Sequence, residues 1–138
     1  MIKEREILVV DDSFYTILFL NELLTMKGYH VVTANSGAEG LQKLGIRIPD
    51  LVLLDLMMPG MDGYQVLQLM KGNPLWQNTP VIILSACADP NEVNRTLKLG
   101  AFAFLAKPVV VDELLDRIES AFKGSMQDRM EAAFNKFV

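Results

Sequence analysis

The chain has 138 residues, 51% of them apolar, with a net charge of −4 and one cysteine. Such a length and apolar content fit a single globular domain with a real core and argue against disorder. With no Lys/Arg block, direct nucleic-acid binding is disfavoured, and the lone Cys87 excludes an internal disulfide or a CxxC zinc site. No apolar run approaches the ~18–20 residues of a membrane span, and the one after the charged N-terminus is too short for a signal peptide. A cytoplasmic location is the expectation.

Ile7-Leu8-Val9-Val10 is a short apolar run ending in two carboxylates, Asp11 and Asp12. Ser13 fits an N-cap, because its hydroxyl can accept from an orphan N–H. Phe14, Ile17, Leu20 and Leu24 fall at helical spacing, and Gly28 fits a C′ stop. Residues 29–33 read as a strand. Ser36-Gly37-Ala38-Glu39 has capping-box spacing and opens a helix through Leu41 and Leu44 that Pro49 ends. Leu51-Val52-Leu53-Leu54 then runs into Asp55, with a turn at Pro59-Gly60. A short apolar run bounded by turn signals reads as a strand buried on both faces.

Asp62, with Gln65 three residues on, caps a helix predicted to reach about Lys71, where Gly72-Asn73-Pro74 breaks it. Trp76 falls in the following loop and is expected to be a packing anchor. Val81-Ile82-Ile83-Leu84 is another buried-type strand, ending at Ser85. Asp89-Pro90-Asn91-Glu92 supplies an N-cap, a proline at N1 and a glutamate at N3, for a helix ending at Gly100. Residues 101–106 form the last predicted strand, which leads into Lys107-Pro108. Asp112 and Glu113 begin a final helix with Leu115, Ile118 and Phe122 on one face. Five strands alternating with five helices argue for an α/β fold, a parallel sheet covered on both sides.

On its own stretch, Asp55 reads equally well as a strand cap or as a ligand-site carboxylate. The other strand ends favour the second. Parallel strands put their C-terminal ends on one edge, and there the sequence offers Asp11, Asp12, Asp55, Ser85 and Lys107. Three carboxylates in one pocket repel each other and call for a cation, and an all-oxygen set suits Mg²⁺. A lysine and a hydroxyl beside them suit a phosphoryl oxyanion. A carboxylate can attack phosphorus to give an acyl phosphate.

These stretches resemble the receiver domain of two-component response regulators. The resemblance rests on residues 7–13, on Leu54-Asp55-Leu56-Met57-Met58-Pro59-Gly60-Met61-Asp62-Gly63, on Pro80 through Ala86, and on Gly100-Ala101 through Lys107-Pro108. It implies a flavodoxin-like, doubly wound sheet of order 2-1-3-4-5 over residues 1–123. It also implies that Asp55 accepts phosphoryl from a sensor histidine kinase or phosphotransfer protein. Asp11 and Asp12 would hold Mg²⁺ with Asp55 and the Met57 carbonyl. Ser85 and Lys107 would contact phosphoryl oxygens, across a cis Lys107–Pro108 bond. Phe104 would be the aromatic switch, and the face of the fourth helix, fifth strand and fifth helix would meet an output partner. Such a chain is a switch rather than an enzyme acting on outside substrates.

Met57, Met58 and Met61 are expected mainly to fill space around their loop. Met57 and Cys87, two residues past Asp55 and Ser85, are also expected to tune water attack on the phosphoryl group. Cys87 is otherwise read as a small hydrophobe, and His30 as structural or exposed. Phe102 stands where the family pattern is polar. It is expected to pack beneath a loop, with an apolar spot on the output face as the alternative. Met126, Met130, Phe134 and Phe137 put a stripe on residues 124–138, read as a helical extension or the start of a linker, with dimerisation or docking as its use. A rival phosphatase would need a carboxylate two residues past Asp55, where Met57 stands. A flavin binder would need a phosphate-cradling loop where Asp11-Asp12 repel phosphate. A degenerate, constitutive receiver would not need the intact acidic set.

Overall fold

The structure is a computed structural model describing residues 4–124, 130 and 133–136. Strands β1 (Glu6–Val10), β2 (His30–Ala34), β3 (Leu51–Asp55), β4 (Val81–Ser85) and β5 (Ala103–Ala106) form one parallel sheet of order β2-β1-β3-β4-β5. Helices α1 (Phe14–Met26), α2 (Gly37–Ile46), α3 (Gly63–Lys71), α4 (Pro90–Lys98) and α5 (Val111–Lys123) connect them. This is the parallel sheet expected from the β/α alternation, in the doubly wound order that the resemblance implies.

Successive strand residues point to opposite faces, so each apolar strand feeds two cores. Ile7, Val9, Leu51, Leu53, Ile82 and Leu84 face α1 and α5, meeting Leu20, Leu24, Leu114 and Ile118. Leu8, Val10, Val52, Leu54, Val81 and Ile83 face the other side, where Leu44 of α2 and Val66, Leu67 and Met70 of α3 cover them. Trp76 packs at the margin of this second core, as expected of an anchor.

Local chemistry sets the helix starts. Ser13, Ser36, Asp62 and Asp89 each accept a backbone N–H in the first turn of the helix they open. The Asp62/Gln65 capping box is complete, whereas Glu39 turns back to the N–H of Asn35 instead of Ser36. Two strands differ from expectation. β2 starts at His30 because the Tyr29 N–H is still committed to Leu24 of the α1 end. β5 starts at Ala103 because the turn through Gly100 (φ +107°) ties the Ala101 N–H back to Thr96.

Several side chains lie elsewhere than the sequence suggested. Phe14 is 71% exposed and does not share the buried face of Leu20 and Leu24. Met57 is 64% exposed, so only Met58 and Met61 fill space around their loop. Cys87 is exposed, not packed as a small hydrophobe. Phe102 is half-exposed at the N-terminal edge of β5, lining a groove of about 470 Å³ with Ile48, Pro49, Leu75 and Phe122. His30 is exposed. No helix among the described residues is long and apolar enough to cross a membrane. Of the tail stripe, Met126 and Phe137 lie outside the described residues, while Met130 and Phe134 are exposed.

Candidate functional site

Strand register brings the polar strand ends together. Val10 pairs with Leu54, which sets Asp11 level with Asp55. Asp55 pairs with Leu84 and Ser85 with Ala106, so Ser85 and Lys107 each follow one step beyond. The order of the strands then lines up Asp11, Asp55, Ser85 and Lys107 along one edge. Asp12 joins them from the turn after β1. Carboxylate oxygens of Asp11, Asp12 and Asp55 lie within 4.8 Å of one another.

Asp11 and Asp55 are almost fully buried, at 2% and 4% exposure. Burying charge is costly unless it is paired. Lys107 supplies the pairing, with Nζ 2.7 Å from Asp11 Oδ2 and 3.5 Å from Asp55 Oδ2. Asp11 Oδ1 also accepts the Ser13 N–H at 2.8 Å, and Asp55 Oδ1 accepts the Met57 N–H at 3.3 Å. These contacts do not offset everything. The Asp55 carboxyl is pushed from 3.8 up to about 6, by burial first and then by the Asp11 charge. Asp12 adds to the rise, while Lys107 and the Met57 N–H oppose it. The cluster therefore holds more negative charge than one lysine offsets, which is the condition a divalent cation relieves. An all-carboxylate set open to water at exposed Asp12 fits Mg²⁺.

Ser85 is fully buried, and its Oγ accepts the Cys87 N–H at 3.2 Å. A hydroxyl accepting one bond still has its own proton to donate. Lys107 is anchored beside it, because the Lys107 N–H donates to the Ser85 carbonyl at 2.8 Å, and the next peptide, Lys107–Pro108, is cis. Phe104 pairs with Ile83 in register and packs part-buried against the core under α3. Met57 and Cys87 are both exposed beside this edge.

Three features escaped the sequence reading. A Cβ on Gly63 would lie 2.3 Å from the Asp55 carbonyl oxygen and 2.7 Å from Leu56 Cα. The Gly63 N–H donates to the Leu56 carbonyl, so α3 starts hard against the Asp55 strand end. Asp62 with Gln65 marks a helix start there, but no local signal gives that clearance. The second is an apolar rim: Phe14, Tyr15, Leu18 and Phe19 of α1 stand exposed. Tyr15 and Phe19 line a groove of about 500 Å³ with Ala86, Lys107, Pro108 and Val109. The third is a contact between α3 and α4, in which the Arg95 guanidinium carbon lies 3.8 Å from the Tyr64 ring centroid.

The profile of the response regulator receiver domain matches residues 7–119. The chain belongs to that family. It is 37% identical over 115 residues to sporulation initiation phosphotransferase F of Bacillus subtilis, covering 83% of this chain and 91% of that protein. It is 38% identical over 117 residues to the transcriptional regulatory protein KdpE of Mycobacterium tuberculosis, covering 85% of this chain and 50% of that regulator. The receiver thus spans about half the length of that regulator. Among solved structures, it resembles the signal receiver domain of a signal transduction histidine kinase from Syntrophus aciditrophicus, with 34% identity, a TM-score of 0.81 and coverage of 88% and 92% of the two chains. It also resembles the chemotaxis protein CheY4 of Vibrio cholerae, with 27% identity, a TM-score of 0.82 and coverage of 86% and 99%. The receiver fold and its place in phosphorylation-dependent two-component signalling follow.

Proposed function

We propose that this receiver accepts a phosphoryl group on Asp55 in a Mg²⁺-dependent reaction and thereby changes its α4-β5-α5 face for a partner. The observation that carries this reading is the buried Asp55 held between a second buried carboxylate and one lysine. Asp11, Asp12, Asp55 and the Met57 carbonyl would hold the cation. When bound, Mg²⁺ offsets charge on the carboxylates and on the donor's phosphoryl oxygens.

The chain's own residues do the rest. Above pH 7 Asp55 is mostly ionised, its ordinary state for attack. One carboxylate oxygen bonds to phosphorus while the bond from phosphorus to the donor's nitrogen or oxygen breaks. The leaving group keeps that electron pair. Lys107, already within 3.5 Å of Asp55, moves from a carboxylate to a phosphoryl oxygen. Ser85 donates its free hydroxyl proton to another. The loop after Ser85 follows, and Phe104 turns into the space released. A charge added at one site thus biases a two-state element.

The donor would be a sensor histidine kinase or phosphotransfer protein. It has to cover the site's rim, and Tyr15, Phe19, Pro108 and Val109 offer it apolar contacts beside Lys107. The test is intact mass after incubation with acetyl phosphate. The wild-type chain gains one phosphoryl group with Mg²⁺ and none with chelator, and Asp55→Asn gains none. An Mg²⁺-independent gain would contradict the reading.

A further inference from the structure

Helix α4 is lightly held. Its one buried residue is Thr96, whose hydroxyl bonds back to Val93 of its own helix at 2.9 Å. Helix α3 buries Tyr64, Val66, Leu67 and Met70, and α5 buries Leu114, Ile118, Ala121 and Phe122. An element with few buried apolar contacts opens and shifts at low free energy. The loop joining Ser85 to α4, residues 86–89, is exposed throughout. Whatever fixes α4 therefore also limits how far the Ser85 loop can move.

Tyr64 offers a fixed post. It follows Gly63, whose backbone is pressed against the Asp55 carbonyl with no room for a side chain. Its ring is nine-tenths buried in the core under α3. The Arg95 guanidinium of α4 stacks on that ring at 3.8 Å, the geometry of a cation–π contact. The Tyr64 hydroxyl is buried and has no hydrogen-bond partner among the described residues, which disfavours this arrangement in part. The contact thus joins a tightly packed element at Asp55 to a lightly held one beyond Ser85, and it leaves the Tyr64 hydroxyl unpaired among the described residues.

We infer that Arg95 and Tyr64 are positioning residues that latch α4 in the unphosphorylated arrangement and set how readily the Ser85 loop follows a phosphoryl group on Asp55. This rests on the phosphoryl-acceptor reading for its second half only. Breaking the latch raises the fraction of chains already able to close. The apparent affinity for a phosphoryl mimic rises with that fraction, so losing one such stack should tighten it about three- to fivefold.

Two readouts test this on the whole chain, with Arg95→Ala, Tyr64→Leu, their double variant and Tyr64→Phe. The first is amide hydrogen exchange over residues 86–98 without Mg²⁺ or phosphoryl donor. The second is the apparent affinity for beryllofluoride with Mg²⁺. The latch predicts faster exchange in α4 for both Arg95→Ala and Tyr64→Leu, and for Arg95→Ala, which leaves the core intact, in α4 alone with α3 and α5 unchanged. It predicts tighter beryllofluoride binding for both, no further gain in the double variant, and behaviour near wild type for Tyr64→Phe, which keeps the ring. Unchanged exchange in Arg95→Ala overturns the latch, as do weaker binding or additive effects. If wild type itself fails to bind beryllofluoride, the acceptor reading falls, and the exchange arm still decides whether the latch exists.

Discussion

Lys107 Nζ sits 2.7 Å from Asp11 Oδ2 and 3.5 Å from Asp55 Oδ2, so one ammonium spans two nearly buried carboxylates. Asp11 holds the shorter contact. Burial, and after it the Asp11 charge, raise the Asp55 carboxyl to about 6, and the more distant lysine opposes them only in part. Lys107→Gln removes the shared cation and leaves two buried negative charges facing each other. Removing one partner of a fully buried pair costs about 3–5 kcal/mol, and the 19% exposure of Lys107 lowers that to roughly 1–3 kcal/mol. Urea unfolding without Mg²⁺ at pH 7.5 should show this loss. The gap to wild type should narrow at pH 5, where Asp55 is protonated. Equal stability of the two proteins at pH 7.5 would contradict the arrangement.

Asp55 also sets a pH dependence. Its folded value is raised from 3.8 to about 6, so the folded state binds the proton more tightly than the unfolded state. The stabilisation from that proton is complete below about pH 4. It disappears as pH rises through about 6, and it stays absent above. The difference corresponds to roughly 2–3 kcal/mol. Asp55→Asn should therefore be more stable than wild type at pH 7.5 without Mg²⁺, with the advantage shrinking towards pH 4. Chemical denaturation across that range checks the sign. A variant less stable than wild type at pH 7.5 would refute the account of Asp55 as an under-compensated charge.

Gly63 is a steric prediction. A Cβ there meets the Asp55 carbonyl oxygen at 2.3 Å, which neither backbone can relieve without moving. Gly63→Ala should cost about 1–3 kcal/mol, the range for overpacking. It should also weaken Mg²⁺ binding, because the movement passes straight to Asp55. Isothermal titration with Mg²⁺ and a denaturation curve read the two effects. At Gly45 of α2 a Cβ would meet nothing within 4 Å beyond its chain neighbours and its own helix backbone, so Gly45→Ala serves as the control. An alanine at 63 that matches one at 45 in both would remove the argument.

Met57 and Cys87 stand exposed at the site edge and carry no charge. Once Asp55 carries phosphoryl, each should affect how water reaches phosphorus. Met57→Glu adds a hydrogen-bond acceptor for that water, and Cys87→Ala removes bulk. Both should change the dephosphorylation rate severalfold, by decay of labelled protein after donor removal. Rates equal to wild type in both variants would show that neither side chain bears on the water.

The sequence carried the sheet edge because its signals are local: an apolar run, a carboxylate, then a cap. Ser13, Ser36, Asp62 and Asp89 each act within three residues of themselves, so their helix starts were readable. The orientation of α1 was readable except at its first turn. Ile17, Leu20 and Leu24 face the core as their spacing predicts, but Phe14, Tyr15, Leu18 and Phe19 put apolar groups on the other sides too, and Phe14 went to solvent. Arg95 on Tyr64 was invisible for another reason. The two are distant in sequence, and an arginine in an exposed helix has no local mark of the ring it covers.

Among the three clustered aspartates, Asp55 is the proposed phosphoryl acceptor, and chemical trapping tests that assignment directly. The chain is treated with acetyl phosphate and Mg²⁺, then with borohydride, which reduces an acyl phosphate to an alcohol. Peptide mass spectrometry then locates the resulting homoserine. Homoserine is expected at position 55 alone, and none when chelator replaces Mg²⁺. Homoserine at position 11 or 12, or none anywhere in a folded wild-type chain, would contradict it.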